Sequence, residues 1–242
     1  MRSRTSCTTR GRPAIRSGGS HWRRRRWNLS PLCADAYVLL AQETAKDLDQ
    51  TIEIYRQGVE AGEKALGKTA FRENAGHFRG LLETRPYMRA RHGFAQALCD
   101  KGLRDETVTH YRDMLRLNPN DNQGIRYLLL DCLLILGRDD DATKLIKRYK
   151  EDGAAAWSWS RALLAFRQGG DCPESRSALS QAIGDNTHVA ALLLGDKKMP
   201  RRLPAYIGVG DKNEAVAYVH GTAAVWTPTP GALTWVRACQ PR

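Results

Sequence analysis

Gly102-Leu103-Arg104-Asp105-Glu106-Thr107-Val108-Thr109-His110-Tyr111, continuing to Asn118-Pro119, decides the fold, because its spacing returns twice downstream. From Gly102, Thr107 lies five residues on, Tyr111 nine and Asn118 sixteen. From Gly137, Ala142 and Ile146 take the five and nine positions; from Gly170, Ser175, Leu179 and Asn186 take the five, nine and sixteen positions. The glycines stand 35 and 33 residues apart, a period that marks stacked copies of one supersecondary unit. Each interval reads as a helical hairpin. The glycine ends a first helix by taking the left-handed conformation without steric cost. Acids just after it (Asp105-Glu106, Asp139-Asp140-Asp141, Asp171) favour the positive end of a second helix. A small residue at the five position lets two helices approach, and a larger one at nine fills the space they leave.

Outward from this stretch, apolar residues recur at intervals of three and four from about Asn28 onward, with no alternating strand pattern, which predicts an all-α chain. Leu29-Ser30-Pro31 ahead of Ala36 to Ala41 and Leu117-Asn118-Pro119 ahead of Gly124 to Leu129 repeat one hinge. A single hairpin cannot cover its own apolar face, so the copies must stack into a helical-hairpin solenoid with a concave groove. The run Lys197-Lys198-Met199-Pro200-Arg201-Arg202-Leu203-Pro204 is a loop, because its two prolines each remove a donor and restrict the residue before them. After it, Asp211-Lys212-Asn213-Glu214 has the form of a capping box opening a helix to about Trp226, and Thr229-Pro230 opens a short last helix with Leu233, Trp235 and Val236. The expected organisation is a disordered basic tail (1–27), helical repeats (28–195), then a loop and a C-terminal capping helix pair (196–242).

With 242 residues and 42% hydrophobic content, the chain can build a core without metal or disulfide staples. Residues 1–27 hold nine arginines, including Arg23, Arg24, Arg25 and Arg26 between Trp22 and Trp27, and neither acid nor lysine. Only +3 of the formal charge of +12 is left for everything else, so the basic signal belongs to the tail. The tail has too little apolar surface to fold alone, and its composition also fits an organelle transit segment. Six cysteines without a C-x-x-C pair read as core thiols in a reducing, cytoplasmic setting. The longest apolar run, Tyr127 to Leu136 interrupted by Asp131, is half of what crosses a bilayer, so no membrane association is expected.

Trp159-x-x-Ala162-Leu163-x-x-Phe166 resembles the first-helix signature W-x-x-L-G-x-x-Y of tetratricopeptide repeats, with Leu40-Ala41 and Phe94-Ala95-x-x-Leu98 marking two further copies. Arg91 stands where an aromatic residue is usual, and Asn186-Thr187 where Asn-Pro is usual. The stretch from about Asn28 to Ala238 also resembles the suppressor of tumorigenicity 7 proteins and their bacterial relatives. That resemblance is carried by Cys33 to Ala41, Asn186-x-His188-Val189, Gly210-Asp211-x-x-Glu214-Ala215-Val216-Ala217-Tyr218 and Gly231-Ala232-Leu233. It implies a repeat architecture and a non-catalytic role.

The six histidines have no partner at metal-ligand spacing, and there is no H-E-x-x-H, Walker loop, G-x-S-x-G or dinucleotide fingerprint. Neither catalysis, metal nor cofactor is expected, and capping explains the acids at 139–141. In tetratricopeptide proteins positions two, five and nine of the first helix line the groove. That register implies Arg89, His92 and Gln96 from one repeat and Gln123, Arg126 and Leu130 from the next, with Trp157 as a further contact. Two guanidiniums beside amides suit a carboxylate, so the expected partner is a protein or an acidic peptide segment. The alternative is weak, sequence-nonspecific nucleic-acid binding through Arg23 to Arg26, assisted by Lys197, Lys198, Arg201 and Arg202.

Overall fold

A computed structural model describes residues 31–240, and every regular element among them is helical. The helices are α1 (Ala34–Glu43), α2 (Leu48–Glu73), α3 (Arg85–Lys101), α4 (Arg104–Leu117), α5 (Ile125–Ile135), α6 (Asp139–Arg148), α7 (Ala155–Gly169), α8 (Pro173–Asp185), α9 (Val189–Leu193), α10 (Lys212–Trp226) and α11 (Ala232–Ala238). Sequential helices pair: α1 with α2, α2 with α3, α3 with α4, and α7 with α8. This is the helical-hairpin array that the spacing predicts. Two compact units are distinguished, one ending at Leu129 and the other beginning at Leu130, within α5.

The repeated glycines all take positive φ, Gly102 in the expected left-handed conformation and Gly170 with an extended ψ of −149°. Gly102 ends α3 at φ 88°, its N–H donating to Cys99 and Leu98 carbonyls while Leu103 N donates to Leu98 O at 2.9 Å. Gly137 and Gly170 have φ 67° and 66°. The five-position residues Thr107, Ala142 and Ser175 are fully buried, as are Tyr111 and Leu179 at nine, with Ile146 nearly so. Thr107 is accommodated there because its hydroxyl donates to Leu103 O at 2.9 Å.

In the first unit a second set of glycines sets helix spacing. A Cβ on Gly58 would lie 2.8 Å from Tyr37 Cβ, one on Gly62 would lie 3.0 Å from Tyr87 Cβ, and one on Gly93 would overlap the Tyr55 ring. Tyrosines of α1, α2 and α3 therefore lie directly on neighbouring helix backbone, and Gly58, Gly62 and Gly93 are packing sites within helices. Helix α2 is 26 residues long, capped at its start by Asp47 and kinked at Gly67 (φ 69°, ψ 163°). At the other end of the unit the buried Asp121, with φ 46°, caps α5 by accepting from Ile125 N and Arg126 N, both at 2.8 Å.

In the second unit, α10 and α11 close over the last hairpin. Phe166 of α7 stacks on Trp235 of α11 at 4.5 Å, and Trp159 meets Trp226 of α10 edge-on at 6.1 Å. Helix α10 also reaches α5, where a Cβ on Gly221 would lie 3.5 Å from Asp131 Oδ2. It thus crosses the first helices of two successive hairpins. Arg167 ties this crossing together, donating to Asp139 Oδ1 (2.9 Å), Thr229 Oγ1 (3.1 Å), and the carbonyls of Leu134 and Val225 (3.4 Å each).

The start of α10 is held by two carboxylates. The capping box forms on its Asp211 side, with Glu214 N donating to Asp211 Oδ1 at 2.7 Å. Glu214 itself turns inward, is 7% exposed, and accepts from Ala155 N (2.9 Å), Asn186 Nδ2 (2.9 Å) and Gly210 N (2.7 Å). Ala155 is the first residue of α7, so the carboxylate also faces the positive end of that helix. Asn186 completes the junction by donating to Asp211 O at 3.0 Å and accepting from His188 N at 3.0 Å.

Candidate functional site

Five of the seven groove residues nominated from sequence lie near the surface of the first unit, but the two arginines among them are already paired within the chain. Arg89 is exposed and makes a two-point pair with Asp35 of α1, Nε to Oδ1 at 2.8 Å and Nη2 to Oδ2 at 2.6 Å. Arg126 donates to Asp121 Oδ2 at 3.1 Å and lies 4.5 Å from the centre of the Tyr127 ring. Gln96 donates to Asp100 at 3.0 Å, and Gln123 Oε1 is buried without a hydrogen-bond partner. His92 is half-buried; burial depresses its pKa, with Asp121 pulling the other way. An incoming carboxylate at Arg89 or Arg126 would have to share the guanidinium with Asp35 or Asp121. The two arginines act as ties between chain segments.

Leu130 and Trp157 need correction as partner contacts, because both are fully buried. Leu130 sits in the core. Trp157 packs edge-on against Tyr149 at 6.2 Å, in a first turn of α7 whose start is covered by Glu214 of α10. The nucleic-acid alternative at Arg23, Arg24, Arg25 and Arg26, and the tail 1–27 as a whole, lie outside the described residues. Among the described residues no group of three His, Cys, Asp or Glu side chains is placed to hold a metal.

A separate concavity lies elsewhere in the first unit. A cleft of about 890 Å³ runs beside the second half of α2, lined by Glu60, Glu63, Lys64, Gly67, Lys68, Phe71 and Arg72, and opposite them by Tyr87 and Arg91 of α3 and Asp113 of α4. The α2 residues border the cleft on both sides of the kink at Gly67. Its floor is aromatic and ion-paired. Phe71 meets Tyr87 and Phe78 with ring centres 5.0 Å apart. Arg91 pairs with Asp113 and with the Tyr87 hydroxyl, and its guanidinium lies 5.7 Å from the Tyr87 ring centre. Burial pushes the Tyr87 phenol up to about 12, so it stays a neutral donor.

At the rim the charges differ in availability. Glu60 is engaged by Arg56, Arg72 by Glu73, and Asp113 also by Arg116 at 2.7 Å. Lys64 and Lys68, exposed on either side of the Gly67 kink, make no ion pair among the described residues, and Glu63 makes none either. The cleft thus offers two free ammonium groups beside Phe71. The sequence reading nominated the first-helix face and did not single out this cleft. The available signal was the 60, 63/64, 67/68, 71/72 recurrence continuing across a glycine.

No protein-family model matches the chain. The chain is similar to the suppressor of tumorigenicity 7 proteins of Macaca fascicularis, Rattus norvegicus and Mus musculus, at 27% identity over 231 residues covering 85% of it. The likeness is one of distant homology. It spans 42% of the macaque protein's length and 39% of that of the rat and mouse proteins. Two of the segments that carry the resemblance in the sequence, around Asn186 and from Gly210 to Tyr218, meet at the Glu214 junction.

Proposed function

We propose that this chain is a non-catalytic binding scaffold of the tetratricopeptide type, and that the α2–α3–α4 cleft of its first unit holds an acidic, partly apolar peptide segment of a partner protein. The carrying observation is the coincidence of unpaired Lys64 and Lys68 with the half-buried Phe71 on one face of the cleft. Ammonium groups take a carboxylate as flexible point charges, and the aromatic floor takes a neighbouring aliphatic side chain. The glycine turns with their buried five and nine positions support the repeat type. Cys33, Cys99, Cys132, Cys172 and Cys239 are free thiols, which fits the cytoplasmic setting assigned to it in this reading.

Selection of peptides from a random displayed library, followed by fluorescence polarisation, tests this. Acidic-aliphatic sequences are expected to be enriched, and Lys64→Glu with Lys68→Glu should weaken them at least about tenfold, a loss of about 1.4 kcal/mol. Arg89→Glu with Arg126→Glu should not act on binding in the same way. Loss on the second pair alone would return the site to the first-helix face, and a library yielding no acidic binder would end the proposal.

A further inference from the structure

The loop between α9 and α10 combines features that the cleft does not use. Nine large hydrophobic side chains are exposed among the described residues, and five of them (Met199, Leu203, Tyr206, Ile207 and Val209) fall in this one loop. Tyr206 and Val209 are 75% and 76% exposed, far beyond incidental exposure. Lys197, Lys198, Arg201 and Arg202 precede them, and no acid occurs between Asp196 and Asp211. The flanking acids are engaged. Asp196 pairs with Arg237 at 2.9 Å, and Asp211 accepts from Gly208 N at 3.0 Å as well as capping α10. None of the four cations makes an ion pair among the described residues.

The loop is long but fixed at both ends. Lys197 N donates to Ala191 O at 2.8 Å, and Gly210 N donates to Glu214 at 2.7 Å. Pro200 and Pro204 limit the backbone between. An apolar tip held out on such a base is unfavourable in water and needs a surface that accepts greasy and cationic groups together.

We infer that residues 197–210 rest on an anionic lipid surface, with Lys197, Lys198, Arg201 and Arg202 at the headgroups and Leu203, Tyr206, Ile207 and Val209 entering the interface. Charge complementarity selects this occupant. The chain's own residues 1–27 carry nine arginines and no acid, so they have the wrong sign to cover the loop. A nucleic-acid backbone satisfies the cations but offers nothing to Leu203, Ile207 and Val209. The headgroup region of a bilayer satisfies both, and tyrosine is favoured at that depth. Such a contact needs no spanning helix, and none of the described helices is long and apolar enough to be one.

Vesicle co-sedimentation of the full chain tests the inference, comparing phosphatidylcholine alone with phosphatidylcholine containing about 30 mol % phosphatidylserine. Two variants are compared with the parent after circular dichroism shows unchanged helix content: Lys197, Lys198, Arg201 and Arg202 all to Gln, and Leu203, Tyr206, Ile207 and Val209 all to Ser. The N-terminal arginines are present in every protein, so differences report the loop. The parent should prefer the anionic vesicles, and each variant should lose at least about tenfold in partitioning. Equal binding by parent and variants, or no binding by the parent, overturns the inference. Loss on the charge variant alone also overturns it, since any polyanion would then serve. Tighter binding to a single-stranded oligonucleotide, with the Tyr206 substitution weakening it equally, would assign the loop to nucleic acid instead.

Discussion

Glu214 shows how much one side chain can organise. Its carboxylate serves three N–H donors that lie in three separate segments, and among the described residues it has no paired cation. Replacing it by Ala strands those donors in a buried junction. The expected loss is about 2–4 kcal/mol, read as a lower urea midpoint. Gln, which keeps one acceptor oxygen, should cost less; equal effects of Ala and Gln would mean that the three bonds are not what holds α10. Asp131 presents the opposite case. Burial pushes its pKa from 3.8 up to about 7, so between those values the folded chain keeps a proton that the unfolded chain has released. Stability from this group is greatest below pH about 4 and drains away as pH rises toward about 7. Asp131→Asn should remove that slope and raise stability at pH about 8 by about 1–3 kcal/mol. His92 and His110, both depressed mainly by burial, act with the opposite slope, costing stability below about pH 6.5. Denaturant curves from pH about 4 to about 8 for parent and variant separate the two; parallel curves would disprove the Asp131 assignment.

At the scale of elements, the chain uses glycine in two physically different ways, and only one is legible in sequence. Gly102, Gly137 and Gly170 stand 35 and 33 residues apart with acids after them, so their positive-φ turns follow from local chemistry. Gly58, Gly62 and Gly93 lie inside helical patterns, and nothing local distinguishes them from tolerated interruptions. Their role depends on which tyrosine lies opposite. Gly93→Ala should therefore cost about 1–3 kcal/mol in thermal or urea unfolding, since the Tyr55 ring has to move. The companion change Tyr55→Leu should recover part of it. A fully tolerated Gly93→Ala would show that α2 and α3 can separate freely. The same limit explains the groove residues. Register along α3 places Arg89 and His92 on a plausible face, but whether Arg89 is free depends on Asp35, 54 residues away.

At the scale of the whole molecule, all-helical architecture, the hairpin order and the C-terminal helix pair were readable from periodicity, because each is set by contacts within a few turns. The candidate cleft was not, because its determinants are tertiary: the course of α2 beyond its kink, and the occupation of the α5 and α7 faces by α10. The second consequence is testable in the second unit. Ending the chain before Asp211 would uncover Trp159 and Phe166 and leave Arg167 without Val225 and Thr229. Amide exchange in α7 should accelerate by orders of magnitude and a hydrophobic dye should bind, whereas α3 and α4, in the other compact unit, should keep their protection. Unchanged protection of α7 would show that α10 contributes nothing to its stability.

The junction at Glu214 also sets a timetable. Its bond to Ala155 spans 59 residues of chain, so α7 leaves the ribosome well before the carboxylate that finishes its N-terminus has been made. At typical synthesis speeds the gap is roughly 3–12 s. During that interval the tryptophan-rich flank of α7 lacks the α10 and α11 contacts that later cover it.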